Sequence, residues 1–127
     1  MIVVSNTSPL NYLVLVEAKR FLPDLFGQIV APAAFVPFGR LGPGESEAIA
    51  LAKQCNADIL LMDERDGSAV ARQLGLTVAG TLAVLALAAE KGLLSLPTAI
   101  AELRRTTFRA PERLIAEMLR RDRLREL

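Results

Sequence analysis

Three acids in four residues, Asp63-Glu64-Arg65-Asp66, follow the apolar run Ile59-Leu60-Leu61-Met62. Clustered carboxylates supply the oxygen ligands that hard divalent cations take. The run before them is too short for a helix and apolar throughout, the pattern of a strand covered on both faces. The exit of such a strand is where open α/β sheets place their ligands. A second polar cluster, Ser5-Asn6-Thr7-Ser8, leaves another apolar run, Ile2-Val3-Val4, at the equivalent position. If these two strands are neighbours, Asn6 and Asp63 face each other across a crevice. Each residue also has a plainer role. Asn6 is equally suited to bracing the turn before Pro9, and Asp63 to capping a following helix, although a carboxylate left there without a partner would be costly. Glu64 and Asp66 read as solvated loop acids, with Asp66 a candidate for supporting the site. Thr81 reads as a helix cap whose hydroxyl also reaches the crevice.

The elements that must hold these residues follow from periodicity. Ser8 and Pro9 mark the start of a helix carrying Leu10, Leu13, Val14 and Val16. Ile29-Val30 is a short second strand, followed by about one helical turn over 33–36 and a turn-rich connector, Gly39 to Gly44. Ala48, Leu51, Ala52 and Cys55 share one helix face, with Glu45 and Glu47 in the first turn, where the helix dipole favours carboxylates; Cys55 reads as a small core residue. A helix over Ser68–Leu74 stops at Gly75, and Leu76-Thr77-Val78 is a fourth strand. Helices follow over Leu82–Lys91 and Thr98–Arg105, and a last one covers about 110–127. Strands alternating with helices predict a parallel sheet with helices on both faces and right-handed crossovers.

Bulk properties narrow the class. One domain spanning 1–127 is expected. The chain is 52% hydrophobic with a mean hydropathy of +0.36, so a two-sided sheet or a subunit interface must take up the excess. Its richest apolar stretch, Leu82 to Ala89, is far short of the roughly 20 residues of a membrane span, and Met1-Ile-Val-Val-Ser does not resemble a signal peptide. One cysteine and no histidine exclude an internal disulfide and the usual zinc sites, and a reducing cytoplasm is expected. Residues 1–100 hold seven Lys/Arg and nine Asp/Glu, against eight Arg and five acids in 101–127. The acids interleaved with those arginines predict a solvated, salt-bridged helix, and Phe108 alone makes no stacking platform for RNA.

The blocks VSNTSPL (Val4–Leu10), GESEAIALA (Gly44–Ala52), ILLMDERDGSAVARQLGLTV (Ile59–Val78) and GTLAVLALAAEKGLL (Gly80–Leu94) occur in an order that resembles PIN domains, specifically small prokaryotic PIN-like proteins related to toxin ribonucleases of the VapC type. The resemblance implies a three-layer α/β/α fold with a short, mainly parallel central sheet of four to five strands. It further implies a nuclease in which about four acids hold Mg²⁺ or Mn²⁺ and activate water for attack on a phosphodiester. RNA would be the substrate, a small antitoxin protein a partner, and a homodimer or higher homo-oligomer the assembly. Carried over residue by residue, the site falls on Asn6, Glu45 and Asp63, with Asp66, Glu64, Thr81, Thr7 and Ser8 as accessory positions. The chain departs from the pattern twice: the first acid is Asn6, and the second falls near Phe38, where neither it nor Pro37 can bind a cation. The connector around Gly39–Gly44 is also short for the family. Two functions from different classes therefore follow. One is a metal-dependent ribonuclease, the toxin of a toxin–antitoxin pair. The other is a weakened or inactive PIN fold kept as a protein-binding or oligomerisation module. A different small ligand-binding α/β domain is disfavoured by the lack of a glycine-rich phosphate loop.

Overall fold

The computed structural model describes residues 1–30 and 43–125. The predicted turn at 33–36, the connector from Gly39 to Gly42, and Pro37 and Phe38 lie outside the described residues. In chain order the elements are β1 (Ile2–Ser5), α1 (Thr7–Leu15), α2 (Leu22–Phe26), β2 (Gln28–Val30), α3 (Pro43–Cys55), β3 (Ile59–Leu61), α4 (Arg65–Gln73), β4 (Val78–Ala79), α5 (Thr81–Glu90), α6 (Leu96–Arg104) and α7 (Glu112–Arg125).

Among the described residues the sheet has four strands in the order β2-β1-β3-β4, every neighbour pair parallel. Ser5 lies opposite Leu61, so β1 and β3 end level with each other. Because β1 has β2 on one side and β3 on the other, the winding reverses between β1 and β3, and the carboxyl ends of these two strands open the crevice that such reversals create.

Successive apolar residues of each central strand serve opposite faces, as a two-period requires. Val3 and Leu61 enter a core with Leu13 of α1, Leu85 of α5, Leu103 of α6 and Ile115 of α7. Val4, Leu60 and Met62 enter a second core with Ala48 and Ala52 of α3 and Ala71 of α4. The result is the expected three-layer arrangement, and it accounts for the unbroken apolar runs Ile2-Val3-Val4 and Ile59-Leu60-Leu61 of the two central strands. Helix α7 is tied to α5 by Arg125, whose guanidinium donates to the Ala89 carbonyl, 3.1 Å away, while pairing with buried Asp122 on its own helix.

Several boundaries differ from the sequence reading. The first helix begins at Thr7, with Asn6 rather than Ser8 as its cap. Helix α4 starts at Arg65, three residues before Ser68, so Asp66 is helical and not in a loop. Propensity put the break at Gly67, but burial of Gly67 and Ser68 against the sheet overrides it. The last strand is Val78–Ala79. Among the described residues, no helix is long and apolar enough to cross a membrane.

Candidate functional site

Asn6 leaves the sheet one residue beyond β1. Its N–H still donates to the Leu61 carbonyl at 2.9 Å, which holds the residue against β3. There, at φ −67° and ψ 161°, it caps α1: its Oδ1 accepts the Thr7 N–H at 2.9 Å. The other half of the same amide, Nδ2, donates to Glu64 Oε2 at 3.1 Å. Asn6 is only 4% exposed, and Glu64 is half-buried. One buried side chain thus ties the start of α1 to the residue that caps α4.

Asp63 lies one residue beyond the last ladder bond of β3, the Met62 N–H to Ala79 carbonyl contact of 2.9 Å. Its carboxylate engages the start of α5. Oδ1 accepts the Thr81 backbone N–H at 2.7 Å, and Oδ2 accepts the Thr81 hydroxyl at 2.6 Å. The first amides of any helix lack partners within it, and the positive end of the helix dipole favours a carboxylate there. The cap residue of α5 is Gly80, which has no side chain to offer, so Asp63 supplies the acceptor from 18 positions away in sequence.

Gly80 leaves room for the Asp63 carboxylate. At φ −102° and ψ −178° its backbone suits any residue. A Cβ there, however, would sit 2.7 Å from Asp63 Oδ1. Burial pushes the Asp63 carboxyl above its ordinary 3.8, the two Thr81 hydrogen bonds pull it back down, and the neighbouring Glu64 charge adds a further upward push.

The crevice therefore brings together Asn6, Asp63, Glu64 and Thr81, but as two adjoining pairs. Asn6 meets Glu64 and not Asp63. Thr81 is not the cap of α5; it is the first helical residue, fully buried, and its hydroxyl serves Asp63. Thr7 contributes a backbone amide, Ser8 lies in the first turn of α1, and Asp66 is exposed in the first turn of α4. Glu47 is half-buried in α3. Glu45 belongs to the first turn of α3, and its side chain lies outside the described residues.

Asp63 and Glu64 carry the hard oxygen donors a divalent cation prefers. Yet among the described residues no three acidic, cysteine or histidine side chains gather as a cation site, and no buried side-chain nitrogen or oxygen lacks a partner. The described donor set alone does not fit Mg²⁺ or Mn²⁺.

On the far side of Asp63 a groove of about 510 Å³ runs between α4 and α7. Arg65, Ser68 and Arg72 line it from α4 and Arg109 from the α6–α7 loop. Sequence reasoning passed over this groove, and it underrated Glu64. Both lapses share a cause. With α4 started at Ser68, Glu64 is a loop residue and Arg65 falls off the helix. With α4 started at Arg65, Glu64 becomes its cap and Arg65, Ser68 and Arg72 fall at the i, i+3, i+7 spacing of one face.

The family model DUF3368, described as a PIN domain, matches residues 35–123. No curated protein matches the chain, and neither does any solved structure.

Proposed function

The chain belongs to the PIN-domain family, which gives it a nuclease-type fold, and from that premise we propose that it acts on RNA at the crevice between the ends of β1 and β3. The observation that carries this reading is the convergence of Asn6, Asp63 and Glu64, 58 positions apart in sequence at the extreme, at the level ends of the two central strands. In this reading the enzyme is an endoribonuclease, the toxin of a toxin–antitoxin pair, with a small antitoxin protein and a second copy of the chain as its protein partners. Thr81 fixes the Asp63 carboxylate through both oxygens, and the Asn6 amide fixes that of Glu64, so both acids are oriented before substrate arrives. Such preorganisation costs no rearrangement during reaction. Glu45 is the third proposed acid. Because the described carboxylates do not form a cation site by themselves, dependence on Mg²⁺ or Mn²⁺ is proposed to be weak.

A second reading is favoured by one specific observation: both Asp63 oxygens are already engaged by Thr81. A carboxylate so committed can serve as a helix anchor alone, and the fold would then act as a binding or oligomerisation module.

Cleavage of labelled RNA with Mn²⁺ or with a chelator, for wild type and Asp63→Asn, separates the two. The asparagine can keep both bonds to Thr81 while losing the charge. The nuclease reading expects cleavage that Mn²⁺ stimulates only weakly and that falls about 100-fold or more in the variant. Wild-type protein that neither cleaves RNA nor takes up Mn²⁺ in calorimetry sinks the nuclease reading and leaves the module.

A further inference from the structure

Helix α7 is seated more shallowly than the two helices it rests on. Six of the ten residues of α5 are buried and four of the nine in α6, but only two of the 14 in α7, and one of those two is a carboxylate. Its one buried apolar residue is Ile115, with Met118 and Leu119 partly buried beside it.

Open space lies on either side of that contact. Toward α6, a cleft of about 230 Å³ is lined by Ile100, Leu103 and Ile115. Toward α5, one of about 330 Å³ lies between Ala86 and Glu90 on one side and Met118 and Asp122 on the other. The groove beyond Asp63 has Leu114 and Met118 as its α7 wall. A side chain that faces open space forfeits the dispersion contacts that close packing supplies, so little apolar surface holds α7 down.

Two polar ties fasten its ends. Near the start, Arg104 of α6 pairs with Glu112 at 2.6 Å, but the two side chains are 46% and 73% exposed, where such a pair contributes little. Near the end, buried Asp122 pairs with Arg125, which donates to the Ala89 carbonyl of α5 at 3.1 Å. Only the second tie includes a buried side chain.

The chain before α7 is fixed to the body. The Phe108 N–H donates to the Thr106 hydroxyl at 3.1 Å, and the Phe108 ring meets Tyr12 of α1 edge-on at 5.1 Å. From Pro111 onward the backbone belongs to the helix, since the Pro111 carbonyl accepts the N–H groups of Leu114, at 3.0 Å, and Ile115, at 3.3 Å. Ala110 lies at the joint between the two.

We propose that α7 is a strap that swings off α5 and α6 about Ala110 as one unit while the sheet stays folded, with the Asp122–Arg125–Ala89 contact as its clasp. Release takes Leu114 and Met118 off the groove and opens the approach to Asp63 from that side. Segments with few buried apolar contacts open at lower free energy than the core beneath them. The inference rests on packing and holds whether or not the crevice cleaves RNA.

Native-state hydrogen exchange of the full chain, read by mass spectrometry without denaturant, tests it. Isolated helices of up to about 15 residues are marginal in water, so the α7 amides exchange once the strap is free. In wild type the amides from Ala116 to Arg125 are expected to exchange together, at least about 10-fold faster than those of β1 and β3 after correction for intrinsic rates. Arg125→Ala is expected to speed exchange along the whole of α7 about 10-fold, the worth of one hydrogen bond to a charged group. Arg123→Ala, an exposed arginine of the same turn, is expected to leave it within about 2-fold. Val4→Ala provides the decisive comparison. Val4 is buried in the second core, which contains no residue of α7. Because the sheet stays intact when the strap is free, this variant is expected to speed exchange in β1 and β3 and leave α7 unchanged.

Exchange of α7 no faster than that of the sheet overturns the proposal. So does a gain in Arg125→Ala confined to the last turn, which is fraying, or an equal gain in Arg123→Ala. An equal rise of α7 and the sheet in Val4→Ala also overturns it, since α7 would then open only when the whole domain unfolds.

Discussion

Asp63 in the crevice and Glu117 on α7 are both carboxylates that accept hydrogen bonds through both oxygens, yet their acidities move in opposite directions. Glu117 accepts from Arg120 at 2.7 and 2.9 Å and from Arg121 at 3.1 Å, on an exposed helix face. Those guanidinium bonds hold its carboxyl down at about 2. Asp63 accepts an amide and a hydroxyl, both neutral, from a residue with no exposure, and burial pushes it above its ordinary value. Partner charge and access to water decide the sign, and the number of hydrogen bonds does not. The α7 partners lie three and four positions away, where any helix would place them. The Asp63 partner exists only because β3 and β4 are neighbours.

If this contrast is right, disturbing the crevice costs far more than disturbing α7. Gly80→Ala should have the largest effect. Its Cβ would displace Asp63 from Thr81, and overpacking of this kind costs about 2 kcal/mol. A urea titration should show the drop, and an unchanged midpoint would mean that Asp63 moves freely.

Asp63→Asn should have a smaller effect that depends on pH. With its folded value raised above the ordinary 3.8, native Asp63 keeps a proton that the unfolded chain has released. Wild-type stability therefore falls as pH rises from about 3.8 through the raised value. The asparagine variant lacks this loss, so its stability relative to wild type should climb with pH over that window in urea midpoints. A difference that shrinks with pH would show that the Thr81 hydrogen bonds outweigh burial.

Glu117→Gln should have the smallest effect. Its lowered value means that the stability it contributes is present above the ordinary 4.5 and lost only as pH falls through about 2. Because the side chains are exposed and salt-screened, the midpoint should not move measurably at neutral pH in moderate salt.

Much of this arrangement was legible in the sequence. The doubly apolar runs at Val3-Val4 and Leu60-Leu61 predicted a two-faced sheet, and their polar exits located Asn6 and Asp63 at one edge. The salt-bridged face of α7 followed from spacing alone, as did the reading of Arg-rich surface. What was not legible was which partner each exit residue would take. The sequence sets Asn6 across the crevice from Asp63 but does not say which acid its amide bonds, and that acid is Glu64.

What the sequence by itself determined is the strands, the helices other than α2, their alternation and the family, since periodicity, turn residues and ordered motif blocks are local properties of the chain; α2 (Leu22–Phe26) carries no such pattern. What only the tertiary structure decided is the use of each functional group. The order β2-β1-β3-β4 sets the carboxyl end of β3 between that of β1 and the start of α5. Two adjacent acids are thereby divided, Glu64 going to Asn6 and Asp63 to Thr81. Hydrogen bonds of under 3.2 Å between residues 18 and 58 positions apart depend on strand adjacency and helix phase, which no local pattern encodes.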